Sequence, residues 1–333
     1  MNTRVTMRDL AKAVGMSPMT VSRALRNDKT VSAQTRLRIQ TAARDMGYVY
    51  DTTAQAFRTQ KSGFVAVTLP SLNNANFAET YRALSNALAD SGLQILVGAT
   101  NYRIEREEKL VRQLLARNPE ALVLTGGFHT QATRELIKAR GVPVIEMWDL
   151  PERPLGHVVG FSNVAAMETI VMHLAETGRS KLAFVGASEG GDLRGGERRS
   201  GAIAAAKKLG LPPMAVLDAG EAPVSMRHGA RLAEKLGRLM LEYDGIVCVS
   251  DPVAFGILSA CKRLGIDVPG QLAITGFGYF EVAAISEPRI TTVDVSARRS
   301  GQITDDTLLD PARLRDALHV EKVNVQLVLG ATT

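Results

Sequence analysis

From Phe64 onward, short apolar runs alternate with longer segments whose apolar residues recur at helical spacing. Runs 64–69 (FVAVTL), 93–97 (LQILV), 120–125 (EALVLT), 142–147 (VPVIEM), 181–187 (KLAFVGA), 214–218 (MAVLD), 245–249 (GIVCV), 271–276 (QLAITG) and 323–329 (VNVQLVL) read as strands. Helical spacing predicts 77–91, 103–117, 130–140, 163–177, 197–209, 227–242 and 252–264 between most of them. Short apolar strands separated by such helices imply parallel sheets covered on both faces. Nine strands are too many for one comfortable sheet, so two similar lobes are expected, with a boundary near 150–162 and a return crossing near 277–295. A ligand of such a fold sits at the carboxyl ends of the strands, in the cleft between the lobes.

The first fifty residues have a different texture. TMRDLAKAVGMSPMTVSRAL (6–25) reads as two short amphipathic helices around a tight turn at Val14-Gly15-Met16. Thr6 is a good N-cap and Leu10, Ala11 and Val14 form an apolar face. Ser17 caps the second helix, with Pro18 at its first position, where the missing N–H costs nothing. Val21, Ala24 and Leu25 face the first helix, leaving Pro18, Met19, Thr20, Ser22 and Arg23 outward. That is the geometry that enters a DNA major groove, although similar helical hairpins occur in proteins that never touch DNA. A third helix starts at Ser32 and stops at Gly47, with Leu37, Ile39, Ala42 and Met46 inward. The expected organisation is an all-α helix-turn-helix head (1–50), a polar hinge linker (51–62) and a two-lobed α/β core (63–333).

Charge sharpens this division. Residues 1–61 carry 11 Lys and Arg against 4 Asp and Glu, leaving 29 basic against 30 acidic residues beyond. A cationic head on a near-neutral body is the footprint of a phosphate-contacting module. No apolar run reaches membrane-spanning length and no secretory signal is evident, so a cytoplasmic protein without membrane contact is expected. Cys248 and Cys261 have no CxxC or His partner nearby and read as buried reduced thiols.

The stretch VTMRDLAKAVGMSPMTVSRALRNDKTVSAQTRLRIQTAARDMGY resembles the DNA-binding head of the lactose-repressor (LacI/GalR) family of bacterial transcription regulators almost continuously. SDPVAFGILSACKRLGIDVPGQLAITGF and EPRITTV extend the resemblance along the core. LPSLNNANFAETYRAL, GVPVIEMWD and VVGFSN are most similar to the gluconate-operon repressor subgroup. The resemblance implies a periplasmic-binding-protein-like core, a homodimer, a pseudo-palindromic operator and a small-molecule effector. It places Pro18, Met19 and Arg23 where the family reads bases, with Arg23 the strongest donor to guanine. Thr6, Ser17, Thr20, Ser22, Asn27 and Thr35 are candidate backbone contacts. Residues 52–59 resemble the family's hinge helix, in which Ala54 and Phe57 occupy the frame of the minor-groove wedge; Phe57 stands where Leu is usual.

Candidate effector residues lie on strand-end loops: Ser71, Asn73, Asn74 and Phe77 after the first strand, Glu146 and Trp148 around the fourth, then Phe161 and Asn163. An indole stacks on a sugar C–H face while carboxylates and amides hold hydroxyls. Arg198 stands where the family places its ligand-binding Arg, whose fork suits a carboxylate. Ser250-Asp251 and Phe277 occupy further family positions, the latter where many members carry an acid-containing Tyr-Asp-Asp; that loss favours an anionic effector, an aldonate such as gluconate or a keto or phosphate derivative. Five scattered histidines, no Walker motif, no GxSxG and no paired-carboxylate signature leave no expectation of catalysis, cofactor or metal. Gly190 to Gly196 reads as an ordinary surface loop rather than a phosphate loop, because a long charged turn separates the preceding strand from the next helix. The segment after Gly301 carries an interrupting Pro311 and dense charge where the family has an apolar-striped helix, and no heptad tail follows.

Overall fold

Local capping chemistry sets the head. The Thr6 hydroxyl accepts from the Asp9 N–H while the Asp9 carboxylate accepts from the Thr6 N–H, opening α1 (Met7–Val14). Gly15 ends that helix in the left-handed region at φ 65°, and Ser17 with Pro18 starts α2 (Pro18–Leu25). Ser32 caps α3 (Ala33–Asp45). Leu10, Val14, Val21, Ala24, Ile39 and Ala43 make the small buried core, with Met46 and Ala42 packed against it. Leu37 is not part of it: it is 64% exposed, on the face opposite Ile39. Arg36 and Arg38 instead turn their guanidinium groups onto backbone carbonyls of Asp28, Val31 and Val14.

In the computed structural model the chain forms two compact units, Met1–Ser62 and Gly63–Thr333, and the structure describes residues 5–50, 62–188 and 190–333. The larger unit holds two parallel sheets. One has the order β11-β5-β4-β3-β1-β2, from β1 (Phe64–Leu69), β2 (Gln94–Ala99), β3 (Leu122–Thr125), β4 (Val144–Met147), β5 (His157–Gly160) and β11 (Val320–Lys322). The other runs β7-β6-β8-β9, from β6 (Leu182–Gly186), β7 (Ala215–Asp218), β8 (Gly245–Cys248) and β9 (Ala273–Thr275). A short antiparallel pair, β10 (Thr292–Asp294) with β12 (Gln326–Val328), lies outside both sheets. Central strands are buried along their length, whereas the edge strands β2 and β7 alternate between covered and exposed residues.

Helices α4 (Ala75–Leu88), α5 (Ile104–Leu115) and α6 (Gln131–Arg140) connect the first sheet. The second lobe uses α7 (Asn163–Glu176), α8 (Leu193–Lys208), α9 (Met226–Leu236), α10 (Asp251–Leu264) and the short α11 (Glu281–Ile285). The chain passes between lobes after Gly160, returns after Asp294 into α12 (Ala297–Leu309), and crosses a third time after Lys322, a passage that sequence periodicity did not indicate. Pro311 does not merely interrupt: it sits at the start of α13 (Pro311–Arg315), capped by Asp310. Helix α8 begins at Leu193, four residues before its expected start, so half of the Gly-rich stretch is helix. Cys248 and Cys261 are free and buried. Among the described residues no helix is long and apolar enough to cross a membrane, and no cluster of three or more His, Cys, Asp or Glu could hold a metal ion.

Candidate functional site

On the head, Pro18, Met19, Arg23 and Asn27 are exposed, and Met19 presents 56% of its surface. Several of the hydroxyls proposed for backbone contact already hold the fold. Thr6 and Ser17 are the caps, Thr20 pairs with Ser17 at 2.9 Å, and Ser22 meets the Tyr50 hydroxyl at 3.2 Å. Thr35 accepts from Ser32, and the Asn27 amide oxygen accepts from Gln40. A capped helix N-terminus still offers its remaining N–H groups to a phosphate, so these contacts organise the face as well as compete for it. Ala54 and Phe57 lie outside the described residues.

The core's site is built where the two sheets end. A small cavity is lined by Asn74, Asn76 and Phe77 from the β1–α4 corner, Tyr102, Trp148, Phe161 and Asn163, and by Arg194, Arg198, Ser250, Phe277 and Phe280 from the second lobe. Its aromatic wall is continuous: Phe77 to Trp148 at 5.1 Å and Trp148 to Phe161 at 5.9 Å, both edge to face, then Phe161 to Phe277 at 6.2 Å. Arg198 lies 4.4 Å above the Phe277 ring and Arg194 lies 5.4 Å from the Phe77 ring centre. Arg198 is fixed by the Val249 carbonyl at 2.9 Å and by Asp192 at 3.8 Å; burial lowers its pKa, opposed by the Asp192 charge. Trp148 is 5% exposed, has a left-handed φ of 72°, and its Nε1 has no hydrogen-bond partner. Trp148 lines the cavity, and a buried donor left in this way calls for an acceptor.

Interlobe contacts frame this cavity. The Asn76 side chain donates to the Gly278 carbonyl at 2.8 Å, and Asn163 reaches the Trp148 carbonyl at 3.5 Å. Glu197, half-buried between the two arginines, has its carboxyl pushed up to about 7 by burial and by the neighbouring Asp149 carboxylate, with which it is hydrogen-bonded. Asp149 also accepts from the N–H groups of Gly127 at 3.2 Å and Leu150 at 2.8 Å.

Four sequence candidates stand away from this wall. Ser71 caps its own turn by accepting from the Asn73 N–H, and Asn73 is exposed. Glu146 is fully buried behind the sheet, bound to His129 at 3.2 Å and to the Leu155 N–H at 2.6 Å. Asp251 is also fully buried, accepting from the Phe280 N–H at 2.7 Å and the Thr292 hydroxyl at 2.5 Å. Burial pushes its carboxyl up to about 7 despite those bonds. It anchors the Phe277–Phe280 loop rather than facing a ligand, and Gly276 is required beside it, because a Cβ there would meet Asp251 Oδ1 at 2.0 Å. Conversely, Asn76, Tyr102, Arg194 and Phe280 are wall residues that sequence reasoning missed.

Residues 6–51 match the family described as "Bacterial regulatory proteins, lacI family", and residues 171–333 match the periplasmic binding protein-like domain. The HTH-type transcriptional regulator GntR of Pseudomonas aeruginosa is 34% identical over 308 residues, 92% of this chain and 89% of that protein. The chain belongs to the LacI family. Among solved structures, one LacI family transcriptional regulator from Silicibacter pomeroyi is 39% identical with a TM-score of 0.75, covering 81% of this chain and 98% of that one. A second from the same organism is 29% identical with a TM-score of 0.89 over 98% of this chain and 99% of that one. This LacI-family member is thus a DNA-binding transcriptional repressor, not an enzyme; repressors of this type bind operator DNA and a small-molecule effector.

Proposed function

We propose that this repressor is a homodimer whose operator affinity is controlled by a sugar acid such as gluconate, bound between the core lobes. One observation carries the effector class: among the described residues, the charged ones lining the cavity are Arg194 and Arg198. A neutral sugar read through carboxylates would need acids there, and the two that sequence offered, Glu146 and Asp251, are committed elsewhere. An anion gains charge-assisted bonds to the guanidinium fork and a partner for the Trp148 N–H. The likeness to regulators named GntR supports the same reading.

In the head, Arg23 reads a base, Pro18 and Met19 offer apolar contact to thymine methyls, and Phe57 is the minor-groove wedge. The open edge strands β2 and β7, with exposed Leu96 and Val216, and the 73% exposed Ile285 support a second copy covering part of the core. Two heads then match a pseudo-palindromic operator. Ligand favours one lobe arrangement over another and thereby lowers operator affinity. The test is titration with gluconate and with glucose, following fluorescence of Trp148, the only tryptophan, together with release of a DNA duplex selected for binding. A saturable response and DNA release with gluconate alone support the reading; a response to glucose alone, or to neither, overturns it.

A further inference from the structure

The first lobe carries a groove that neither DNA reading nor effector binding uses. It encloses about 840 Å³ and is lined by α6 on one side and by Pro154, Leu155 and helix α13 on the other. Pro143 and Leu155 place it at the amino ends of β4 and β5, the opposite end of the sheet from the aromatic cavity. Strand order sets it beside β4, β5 and β11, far from β2, the edge assigned above to a second copy. One bank is the segment after Gly301 whose dense charge and Pro311 stand out in the sequence. That bank is already fixed: His157 Nε2 lies 3.3 Å from the Leu314 carbonyl, and its Nδ1 accepts from the His319 N–H at 3.2 Å. The tautomer with its proton on Nε2 satisfies both bonds.

The groove is amphipathic. Ile137, Val142 and Leu155 belong to the smaller hydrophobic cluster of this lobe and Leu314 packs against the larger one, so the floor follows a seam between two cores. Arg134 and Lys138 stand one helical turn apart on α6, and Arg315 stands on α13. Among the described residues the lining holds one acid, Glu135, which accepts from the Gln131 amide at 2.8 Å. Arg134 gives a guanidinium N–H to the Arg153 carbonyl. None of the three cations has a carboxylate at ion-pair distance among the described residues. Cations on both banks of an apolar floor complement an apolar stripe flanked on each side by carboxylates. A small polyanion would instead want the cations converging on one point.

We propose that this groove docks an acidic amphipathic helix of a partner protein, its apolar stripe over Ile137, Leu155 and Leu314 and its carboxylates on Arg134, Lys138 and Arg315. Helix-in-groove recognition uses apolar anchors at successive turns of the guest. Helix α6 has 10 residues, about 15 Å, and so matches about three turns of such a guest. An interface of that size suits a transient partner rather than a permanent subunit. The fixed α13 bank lowers the ordering cost of docking.

The test is fluorescence anisotropy of a labelled helical peptide added to the full chain. Its leucines form one stripe flanked by glutamates, and a second peptide of the same composition has the leucines scattered. The striped peptide is expected to bind about tenfold or more tighter, because only it buries its leucines together. Lys138→Glu combined with Arg315→Glu, both at exposed positions, weakens the striped peptide by about tenfold and leaves the urea midpoint unchanged. The proposal is overturned if both peptides bind alike, if neither binds, or if the double variant binds the striped peptide as well as the wild type does. Displacement of the peptide by ATP at the same concentration also overturns it, by assigning the cations to a small polyanion. So does a change of oligomeric state in the double variant, read by sedimentation, which assigns the groove to a second copy. Loss of specific-duplex affinity in the double variant assigns the cations to DNA and overturns it likewise.

Discussion

His129 gives the sharpest pH prediction for the core. Its ring is wholly buried behind the first sheet, with Nδ1 2.6 Å from Glu107 and Nε2 3.2 Å from Glu146. Burial alone would lower its pKa, but the two carboxylates outweigh it and raise the value to about 9 from 6.5. Only the imidazolium has two N–H donors, so deprotonation leaves one buried carboxylate without its partner. A folded pKa raised in this way stabilises fully below about pH 6.5, and that contribution disappears as pH rises through about 9. The difference amounts to about 3 kcal/mol at roughly 1.4 kcal/mol per pH unit. The assay is urea unfolding followed by Trp148 fluorescence, at fixed protein concentration across that pH range, for the wild type and His129→Gln. Glu197 and Asp251, both raised to about 7, also lose stabilisation as pH rises through 7, but they do so equally in both proteins. Wild type should start more stable and converge on the variant at high pH. Parallel curves would refute the shared-proton arrangement.

Other consequences are as direct. Arg198→Lys loses the guanidinium fork and the stacking on Phe277, and should weaken sugar-acid binding by about 1–3 kcal/mol in the fluorescence titration; unchanged affinity would remove Arg198 from the site. Gly160→Ala puts a Cβ 1.9 Å from the Asp149 carbonyl oxygen, and should lower stability by about 2–4 kcal/mol as read from the urea midpoint. Arg23→Ala should cost about 1–3 kcal/mol of specific DNA affinity and less on random duplex, measured by competition at fixed salt; equal losses on both would reassign Arg23 to a phosphate.

The head was legible because its signals are local. A capping box at Thr6 and Asp9, a left-handed glycine and a Ser-Pro helix start each act within four residues. Leu37 shows where reading by residue type fails: two positions from Ile39 is about 200° around a helix, so the Ile39–Ala42–Ala43–Met46 face excludes it. In the core, long apolar strands were evident, but β5 and β11 were not. The sequence of β11, Val-Glu-Lys, has no strand signature of its own; it is a strand because it pairs with Val158–Gly160 across a long chain separation. The third crossing between lobes depends on that pairing and was hidden with it.

Glu146 and Trp148 explain why the site was only half legible. They stand two residues apart, and strand alternation puts such residues on one face. Ile145 and Met147 pack into the large core with Trp148, however, while Glu146 turns to the opposite side and meets His129. The strand ends at Met147, and the left-handed backbone at Trp148 breaks the alternation, swinging the indole onto the Met147 side and into the cavity. The same kind of turn at Asn101 and Tyr102 brings Tyr102 to the wall. Both are conformations that bulky residues avoid unless the surrounding fold imposes them. The decisive wall residues are therefore placed by backbone states opposed to local propensity, and reading by periodicity inverts them. Arg194 was missed for a related reason: it lies in a stretch read as a loop, and only the early start of α8 aims it between Phe77 and Gly126 of the other lobe.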